Sequence, residues 1–435
     1  MPRTDPARLV AFDVLRAVAD KDAYANLELS RLLRERNVGG RDAALATELV
    51  GGTLRLRGSY DDIIDRLVGR ELDGAVRDAL RLGTHQLLSM RVPTHAAVDT
   101  TVALVKEQIG HRPSGLVNAV LRKVSARPLG EWLEGRPLSV RTAHPQWVLD
   151  ALAEALGVPG ELDALLAADN ERPGVTLVAR PGVCEPAELG GAPVPISPYA
   201  VALASGDPGA IAAVREGRAG VQDAGSQVVA LVTAAAELDG SDDRWLDLCA
   251  GPGGKAALLA ALAAQRGAVL LANERAPHRA ELVSGALRAV GHGVLGVIAG
   301  DGVAPAWRPE SFDRVLLDAP CSGLGALRRR PESRWRRVPR DVEDLVDLQT
   351  ALLDAALDSV RPGGVVVYAT CSPVVAETVG VITAVLGRRS DATVEDATGL
   401  VAATDAESAH LPGAIQLWPH RHGTDAMFLC LLRKR

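Results

Sequence analysis

Two of the five cysteines in this 435-residue chain lie in short motifs whose residue types could do chemistry. One motif reads Asp318-Ala-Pro-Cys321-Ser-Gly, and the other reads Ala-Thr-Cys371-Ser-Pro. No two cysteines are spaced as Cys-x-x-Cys and their number is odd, which argues against a disulfide scaffold and a structural zinc site. A lone cysteine at a strand end is usually a small buried hydrophobe. Two of them in similar turns indicate catalytic thiols.

Two thiols and one carboxyl suit methyl transfer to carbon 5 of a pyrimidine. A thiolate that adds to carbon 6 turns the ring into an enamine-like nucleophile. A carboxyl beside ring nitrogen 3, such as that of Asp318, can share a proton as charge develops there. A base must then remove the carbon-5 proton so that the thiol can leave. Sequence position alone does not say which of Cys321 and Cys371 attacks the ring.

The elements that would position these residues begin near Arg244. From there, apolar strands alternate with helices of 10–20 residues, which predicts an open parallel sheet with helices on both faces. The first turn, DLCAGPGGK, brings three glycines to a helix start, where backbone N–H groups are free to bind a ligand. The next strands end in Glu274, Asp301 and Asp318, at the edge where such sheets bind ligands.

The glycine turn is compatible with more than one cofactor. Its spacing, Gly251-x-Gly253-x-x-Ala256, fits a loose dinucleotide fingerprint, so a nicotinamide oxidoreductase is one interpretation. A turn needed only for tight packing is another. The combination of the turn, the acids that follow, and a fourth strand that ends beside a cysteine favours S-adenosylmethionine.

These motifs resemble those of bacterial ribosomal RNA cytosine carbon-5 methyltransferases of the Sun/Fmu type, which act on 16S RNA. The resemblance is carried by GPGGK at 251–255, DAPCSG at 318–323 and TCS at 370–372, with VQDAGSQ at 221–227 and HGTDAMF at 422–428 beside them. Residues 4–127 resemble a NusB-type RNA-binding domain, above all SGLVNAVLRKV at 114–124. The chain departs from the family at Thr176–Arg180 and at Ala426–Met427. These departures bear on the contacts with the substrate rather than on the chemistry.

The resemblance implies that Cys371 is the nucleophile, that Cys321 assists product release and that Asp318 takes part in catalysis. It also implies the residues that line the S-adenosylmethionine site, which are Cys249, Ala250, Gly251, Pro252, Gly253, Gly254, Lys255, Glu274, Asp301 and Asp318. The expected partner is 16S ribosomal RNA. Transfer RNA as the substrate, and a non-enzymatic RNA-binding or antitermination factor, are the alternatives.

The whole chain is predicted to be multidomain. Helical periodicity over residues 1–127 predicts an all-α NusB-like domain, and the Pro- and Gly-rich residues 128–145 predict a linker. Residues 146–240 mix helical and strand-like pieces, which predicts a small α+β RNA-binding module. Residues 241–435 are predicted to form the α/β, Rossmann-like class I methyltransferase core.

An arginine-rich segment follows the first cysteine motif. Residues 328–340 read RRRPESRWRRVPR, with seven arginines and one glutamate. We expect Arg328, Arg329 and Arg330 to bind RNA phosphates and Trp335 to stack a base. A solvated loop on an arginine-rich protein is the alternative. Because only 3% of residues are aromatic, stacking cannot be the main source of RNA affinity.

The remaining expectations concern location and partners. The longest apolar run is nine residues, Ala256–Ala264, whereas a membrane span needs about 20. Asp5 and Asp13 lie where a signal peptide needs apolar residues. We therefore expect a cytoplasmic protein that contacts no membrane and holds no metal. The oligomeric state is left open, with a monomer as the working expectation.

Overall fold

The computed structural model describes residues 5–435. Its helices, numbered in chain order, are α1 (Pro6–Lys21), α2 (Ala25–Glu35), α3 (Gly40–Arg55), α4 (Arg57–Val68), α5 (Gly74–Leu88), α6 (Thr94–Gln108), α7 (Ser114–Val124), α8 (Leu129–Leu133), α9 (Leu138–Arg141), α10 (Gln146–Leu156), α11 (Leu162–Asp169), α12 (Ala212–Arg215), α13 (Ala224–Ala235), α14 (Gly254–Gln265), α15 (Pro277–Leu287), α16 (Ser333–Arg336), α17 (Pro339–Ser359), α18 (Val379–Leu386) and α19 (Pro419–His422). Its strands are β1 (Val175–Ala179), β2 (Ala192–Pro193), β3 (Ala200–Leu203), β4 (Ala219–Val221), β5 (Arg244–Asp247), β6 (Val269–Glu274), β7 (Val294–Ala299), β8 (Phe312–Asp318), β9 (Val360–Thr370), β10 (Ala392–Glu395), β11 (Ile415–Gln416) and β12 (Phe428–Lys434).

The described chain divides into two compact units. Unit 1 comprises residues up to 150 together with 166–172 and 327–337, and unit 2 comprises the remainder. This division differs from the predicted domain boundaries. Residues 1–4 of the predicted N-terminal domain lie outside the described part of the chain. Residues 128–145, predicted to be a linker, contain the short helices α8 and α9 and belong to unit 1.

The regular structure in the described residues of unit 1 is entirely helical, which confirms the all-α prediction for this region. Two of its helices, α1 and α5, begin at an aspartate whose side chain satisfies free N–H groups. The carboxylate of Asp73, for example, accepts hydrogen bonds from the N–H groups of Ala75 (2.9 Å) and Val76 (3.4 Å) at the start of α5. The apolar faces of α1 and α3–α7 then pack into one core, whose members include Val10, Leu49, Ile63, Leu80, Leu104 and Leu121.

Residues 327–337 are part of this helical unit. The Arg334 side chain is fully buried, and its guanidinium donates to the carbonyl oxygens of Arg55 (3.4 Å) and Ala143 (3.3 Å). The buried carboxylate of Glu332 accepts from the N–H of Ala25 at 3.2 Å. Burial lowers the pKa of Arg334 to about 10, which still leaves it charged at neutral pH. Residues 327–337 of the segment predicted to bind RNA are therefore part of unit 1, which also disagrees with the alternative of a solvated loop.

Unit 2 contains two sheets. The smaller has the order β2-β3-β1-β4, is antiparallel, and encloses a small apolar core around Leu177, Val201 and Ala219. It matches the predicted α+β module.

The larger sheet has the order β10-β12-β9-β8-β5-β6-β7, with β11 paired to β12. The strands β5 to β9 run parallel, and β12 and β10 run antiparallel. Alternate residues of β8 face opposite layers, since Leu316 packs with α13, α14 and α15 whereas Val315 and Leu317 pack with α17 and α18. This confirms the predicted α/β core. Within residues 5–435, no helix has both the length and the apolar character to cross a membrane.

Candidate active site

The glycine turn closes the end of β5 and starts α14. The N–H of Ala250 donates to the Asn273 carbonyl at 2.8 Å, and the N–H of Gly253 donates to the Ala250 carbonyl at 2.7 Å. Gly253 has φ +109°, a conformation that other residues rarely adopt. A side chain at Gly251 would collide with the carboxylate of Glu274, so the turn needs glycine there. The backbone of the turn thus lies directly beside an acid.

The acids at the ends of β6, β7 and β8 differ in their surroundings. Glu274 is buried, accepts from the N–H of Ala276 at 3.0 Å, and lies 3.5 Å from the guanidinium of Arg279. Asp301 is exposed and accepts from the N–H of Val303 at 3.1 Å. Asp318 forms an ion pair with Lys255, 2.9 Å from Oδ2 to Nζ. Free N–H groups at a helix start with acids beside them fit a cofactor that carries ribose hydroxyls and a charged amino-acid end.

Asp247, the last residue of β5, is a fourth carboxyl that the sequence analysis did not single out. It is fully buried, and burial raises its pKa to about 8, with the charge of Asp318 adding to the effect. Asp247 is therefore protonated at neutral pH. Burial would lower the pKa of Lys255, but the negative charges of Asp318 and Cys371 outweigh it and raise that pKa. The position of Asp247, directly before the glycine turn, was the available sequence signal.

The two motif cysteines meet at the same edge. Because β8 and β9 are parallel neighbours with Asp318 opposite Ala369, the residues that follow them lie side by side. We call residues 319–323 and 371–374 the thiol loops. The sulfurs of Cys321 and Cys371 are 3.4 Å apart, within hydrogen-bond distance. The parallel pairing of β8 and β9 thus brings both motif cysteines to one edge of the sheet.

The thiol loops and the C-terminal strand are linked through backbone groups. The N–H of Gly325 donates to the Cys371 carbonyl at 2.8 Å, and the N–H of Ala426 donates to the Gly325 carbonyl at 2.8 Å. Since Ala426 contributes its backbone, its departure from the family pattern leaves this link intact. Arg180, in the other departing stretch, is buried and donates to the Ala286 carbonyl at 2.7 Å. Burial lowers the pKa of Arg180 to about 10.

The two thiols differ in their electrostatic surroundings. The hydrogen bond to Cys371 and burial raise the pKa of Cys321 well above its ordinary value, and the nearby charges of Cys371, Glu377 and Asp318 act in the same direction. Cys321 therefore stays an S–H group at neutral pH and can donate to the sulfur of Cys371. The positive charge of Lys255 interacts with Cys371 and favours its thiolate.

The other three cysteines stay protonated and lie outside the pair of thiols. Burial raises the pKa of Cys184 to about 11 and that of Cys430 to about 12. Burial and the charge of Asp247 raise the pKa of Cys249 well above its ordinary value. A thiol that does not ionise is a poor nucleophile, so these cysteines fit packing and ligand-loop roles. Among residues 5–435, His, Cys, Asp and Glu side chains form no group of three that could hold a metal.

The structure places the predicted RNA contacts within unit 1. Arg328 is buried, Arg329 is half-buried and Arg330 is exposed. The guanidinium of Arg330 lies over the ring of Tyr24, 5.5 Å from its centre. Trp335 is half-buried, and the guanidinium of Arg57 lies 5.8 Å from its ring centre. The role of this segment in RNA binding stays a prediction.

Comparison with known proteins matches both halves of the chain. A family model described as 16S rRNA methyltransferase RsmB/F matches residues 236–433, and the NusB family matches residues 5–126. Rv1407 of Mycobacterium tuberculosis H37Rv, whose name assigns it provisionally as a methyltransferase, is 50% identical over 99% of this chain and 97% of its own. The ribosomal RNA small subunit methyltransferase B of Salmonella typhi is 35% identical over 83% of this chain and 86% of its own.

Among solved structures, the crystal structure of PH0851 has the same fold. Its TM-score is 0.80 at 21% identity, and the alignment covers 99% of both chains.

Proposed function

Because this chain belongs to the 16S rRNA methyltransferase RsmB/F family, it is an S-adenosylmethionine-dependent RNA methyltransferase, and we propose that it methylates carbon 5 of a cytosine in 16S ribosomal RNA through a covalent bond to Cys371. One observation carries this proposal, the 3.4 Å separation between the sulfurs of Cys371 and Cys321. Methylation of an amino nitrogen or of a ribose has no use for two adjoining thiols. Family membership also rules out the nicotinamide enzyme and the non-enzymatic factor.

We assign the cofactor to the glycine turn and the acids around it. Residues Cys249–Lys255, Glu274, Asp301 and Asp318 would hold S-adenosylmethionine, which supplies the methyl group. The support is geometric, since the Gly251 backbone lies against the buried carboxylate of Glu274 and leaves no room for a side chain. An acid at this position suits the ribose hydroxyls.

In the first half of the proposed reaction, Cys371 activates the base. Lys255 favours the Cys371 thiolate, whose electron pair forms the bond from sulfur to carbon 6 of the cytosine ring. The displaced ring electrons make carbon 5 nucleophilic. As negative charge reaches ring nitrogen 3, a proton taken up from water is shared between that nitrogen and the carboxylate of Asp318, which Lys255 holds at 2.9 Å. The proton returns to water when the ring double bond forms again.

In the second half, Cys321 serves the elimination. Once the Cys371 sulfur is bonded to carbon, it no longer carries the charge or accepts the hydrogen bond that raise the pKa of Cys321. Cys321 then loses its proton to water, and its thiolate takes the proton from carbon 5. The bond from carbon 6 to sulfur breaks as the ring double bond returns, and Cys371 leaves as a thiolate. The two thiols thus ionise in turn rather than together.

Two findings support 16S ribosomal RNA as the substrate, namely the names of the matching family and relative and the match of the helical region. The family description and the Salmonella typhi relative both name small-subunit ribosomal RNA. The NusB-type match over residues 5–126 fits an RNA-binding role for unit 1.

The test is methylation of defined RNAs with purified protein and S-adenosylmethionine that carries an isotopically labelled methyl group. Digestion to nucleosides and mass spectrometry should find the label in 5-methylcytidine from 16S RNA and not from transfer RNA. Label in another nucleoside would refute the carbon-5 assignment. Label in transfer RNA alone would keep the chemistry and replace the substrate.

A further inference from the structure

A buried carboxylate lies between the thiol loops. Glu377, six residues after Cys371, has no exposed surface, and the reaction proposed above does not use it. Its carboxylate reaches the serine that follows each catalytic cysteine in the chain, Ser322 and Ser372. Both serines are also buried.

The Glu377 carboxylate is saturated with hydrogen-bond donors. Oε1 accepts from the backbone N–H of Ser322 at 2.7 Å and from Nε2 of Gln349 at 3.1 Å. Oε2 accepts from the hydroxyl of Ser322 at 2.5 Å and from the hydroxyl of Ser372 at 2.6 Å. An ionised carboxylate has about four acceptor sites, so these four donors match its capacity.

The same group of side chains holds the first thiol loop at a second point. Nε2 of Gln349, on α17, also donates to the carbonyl of Pro320 at 2.8 Å. The hydroxyl of Tyr368, on β9, donates to the backbone carbonyl of Glu377 at 2.6 Å, which fixes the residue itself. The two serine hydroxyls are 3.0 Å apart. Apart from this direct contact of the serines, the links between the thiol loops in this cluster pass through the Glu377 carboxylate.

We propose that Glu377 is a positioning residue whose buried carboxylate ties the two thiol loops together and thereby sets the distance between the Cys321 and Cys371 sulfurs. It touches neither sulfur and acts through Ser322 and Ser372. Its importance for catalysis rests on the proposed function, but its effect on the thiol distance does not. Without the carboxylate, buried donors from both loops would lose their acceptor, which costs free energy that separation of the loops and entry of water would relieve.

The test measures the thiol pair directly, without RNA. Phenylarsine oxide, a trivalent arsenical, binds tightly only where one arsenic atom can bond two neighbouring thiols, so its dissociation constant reports their separation. We expect Glu377→Ala in the full-length protein to weaken arsenical binding at least about tenfold, the factor that corresponds to about 1.4 kcal/mol. Glu377→Gln keeps one acceptor oxygen and the side-chain shape, so it should stay within about threefold of the wild type, because rotatable serine hydroxyls can accept from its amide.

Two controls separate positioning from general destabilisation. Asp313 is a matched carboxylate at the opposite end of β8, buried and bound to Ser241 at 2.7 Å and to the N–H groups of Asp243 and Arg244, each at 2.9 Å. Asp313→Ala should lower the melting temperature and leave the arsenical constant unchanged. Cys321→Ser gives the baseline for a site with one thiol.

The outcomes are decisive whichever variant folds. Wild-type arsenical affinity in folded Glu377→Ala would overturn the proposal, as would equal weakening by Asp313→Ala. If Glu377→Ala does not fold, the double variant Ser322→Ala/Ser372→Ala replaces it and should weaken binding at least about tenfold, since a hydrogen bond to a charged group contributes at least about 1.5 kcal/mol. Methylation at an atom other than carbon 5 would refute the proposed function and leave the arsenical result standing.

Discussion

Glu274→Ala is the sharpest test of the cofactor site, because the structure isolates what the substitution removes. Oε1 of the carboxylate accepts from the N–H of Ala276 at 3.0 Å, whereas Oε2 faces Gly251 and lies 3.5 Å from the guanidinium of Arg279. One oxygen thus remains to accept from a ribose hydroxyl. A hydrogen bond to a charged group contributes about 1.5–3 kcal/mol.

That contribution corresponds to a loss in affinity of roughly 10- to 150-fold, at about 1.4 kcal/mol per factor of ten. Isothermal titration calorimetry with S-adenosylmethionine should show the weaker binding, with an enthalpy less favourable than that of the wild type. Glu281→Ala is the matched control, since Glu281 is an exposed acid on the neighbouring helix α15. Circular dichroism should show both variants folded.

Unchanged affinity in folded Glu274→Ala would refute the reasoning, since a buried acid beside the glycine turn would then have no ligand to bind. An equal loss in Glu281→Ala would also refute it, by attributing the effect to net charge. A loss of thermal stability without a loss of affinity would assign Glu274 to the structure of the turn.

Three further predictions concern the thiols, the buried acid and the RNA. Cys321→Ala should trap a covalent protein–RNA complex on a denaturing gel with S-adenosylmethionine present, because elimination is blocked, whereas Cys371→Ala should form no complex; the opposite pattern would exchange the two roles. Asp247→Asn should raise the melting temperature at pH 8 and leave it unchanged near pH 4. The reason is that the carboxyl of the unfolded chain ionises from about pH 4 upward, while the folded one, with a pKa of about 8, stays protonated and so costs stability between these pH values. A difference in melting temperature that does not depend on pH would contradict the buried acid. The double variant Arg329→Gln/Arg330→Gln, which keeps the buried Arg328, should weaken RNA binding. The slope of the logarithm of the binding constant against the logarithm of salt concentration should fall by about one for each phosphate that the variant no longer binds. An unchanged slope in a filter-binding titration would mean that the segment has a structural role only.

The sequence was sufficient for the parts of the site that follow from chain topology. A glycine turn after β5 and cysteines after β8 and β9 must meet at one edge, because parallel strands end on the same side. The family fold and the two thiols were therefore within reach of sequence reasoning. The distance of 3.4 Å between the sulfurs was not, because it depends on side-chain packing across the loops.

The parts that could not be predicted depend on contacts between distant residues. Glu377 looks like an ordinary polar residue near a helix start, and its role appears only when Ser322 and Ser372 are brought to it. Arg334 lies in a stretch whose charge predicts exposure, yet backbone carbonyls of Arg55 and Ala143 accept from its guanidinium in the interior. Backbone acceptors are present at every residue, so no pattern of residue types reveals such a site.

Because residues 327–337 belong to unit 1, the helical unit cannot finish folding until late in the synthesis of the chain. Translation completes the helices of residues 5–150 long before it reaches Arg334, and at about 5–20 residues per second the interval from residue 172 to residue 337 lasts roughly 10–30 seconds. During that interval the positions that Glu332 and Arg334 occupy inside unit 1 are empty, so the core of the helical unit is incomplete while the rest of the chain is being synthesised. The first unit to leave the ribosome is therefore among the last to finish folding.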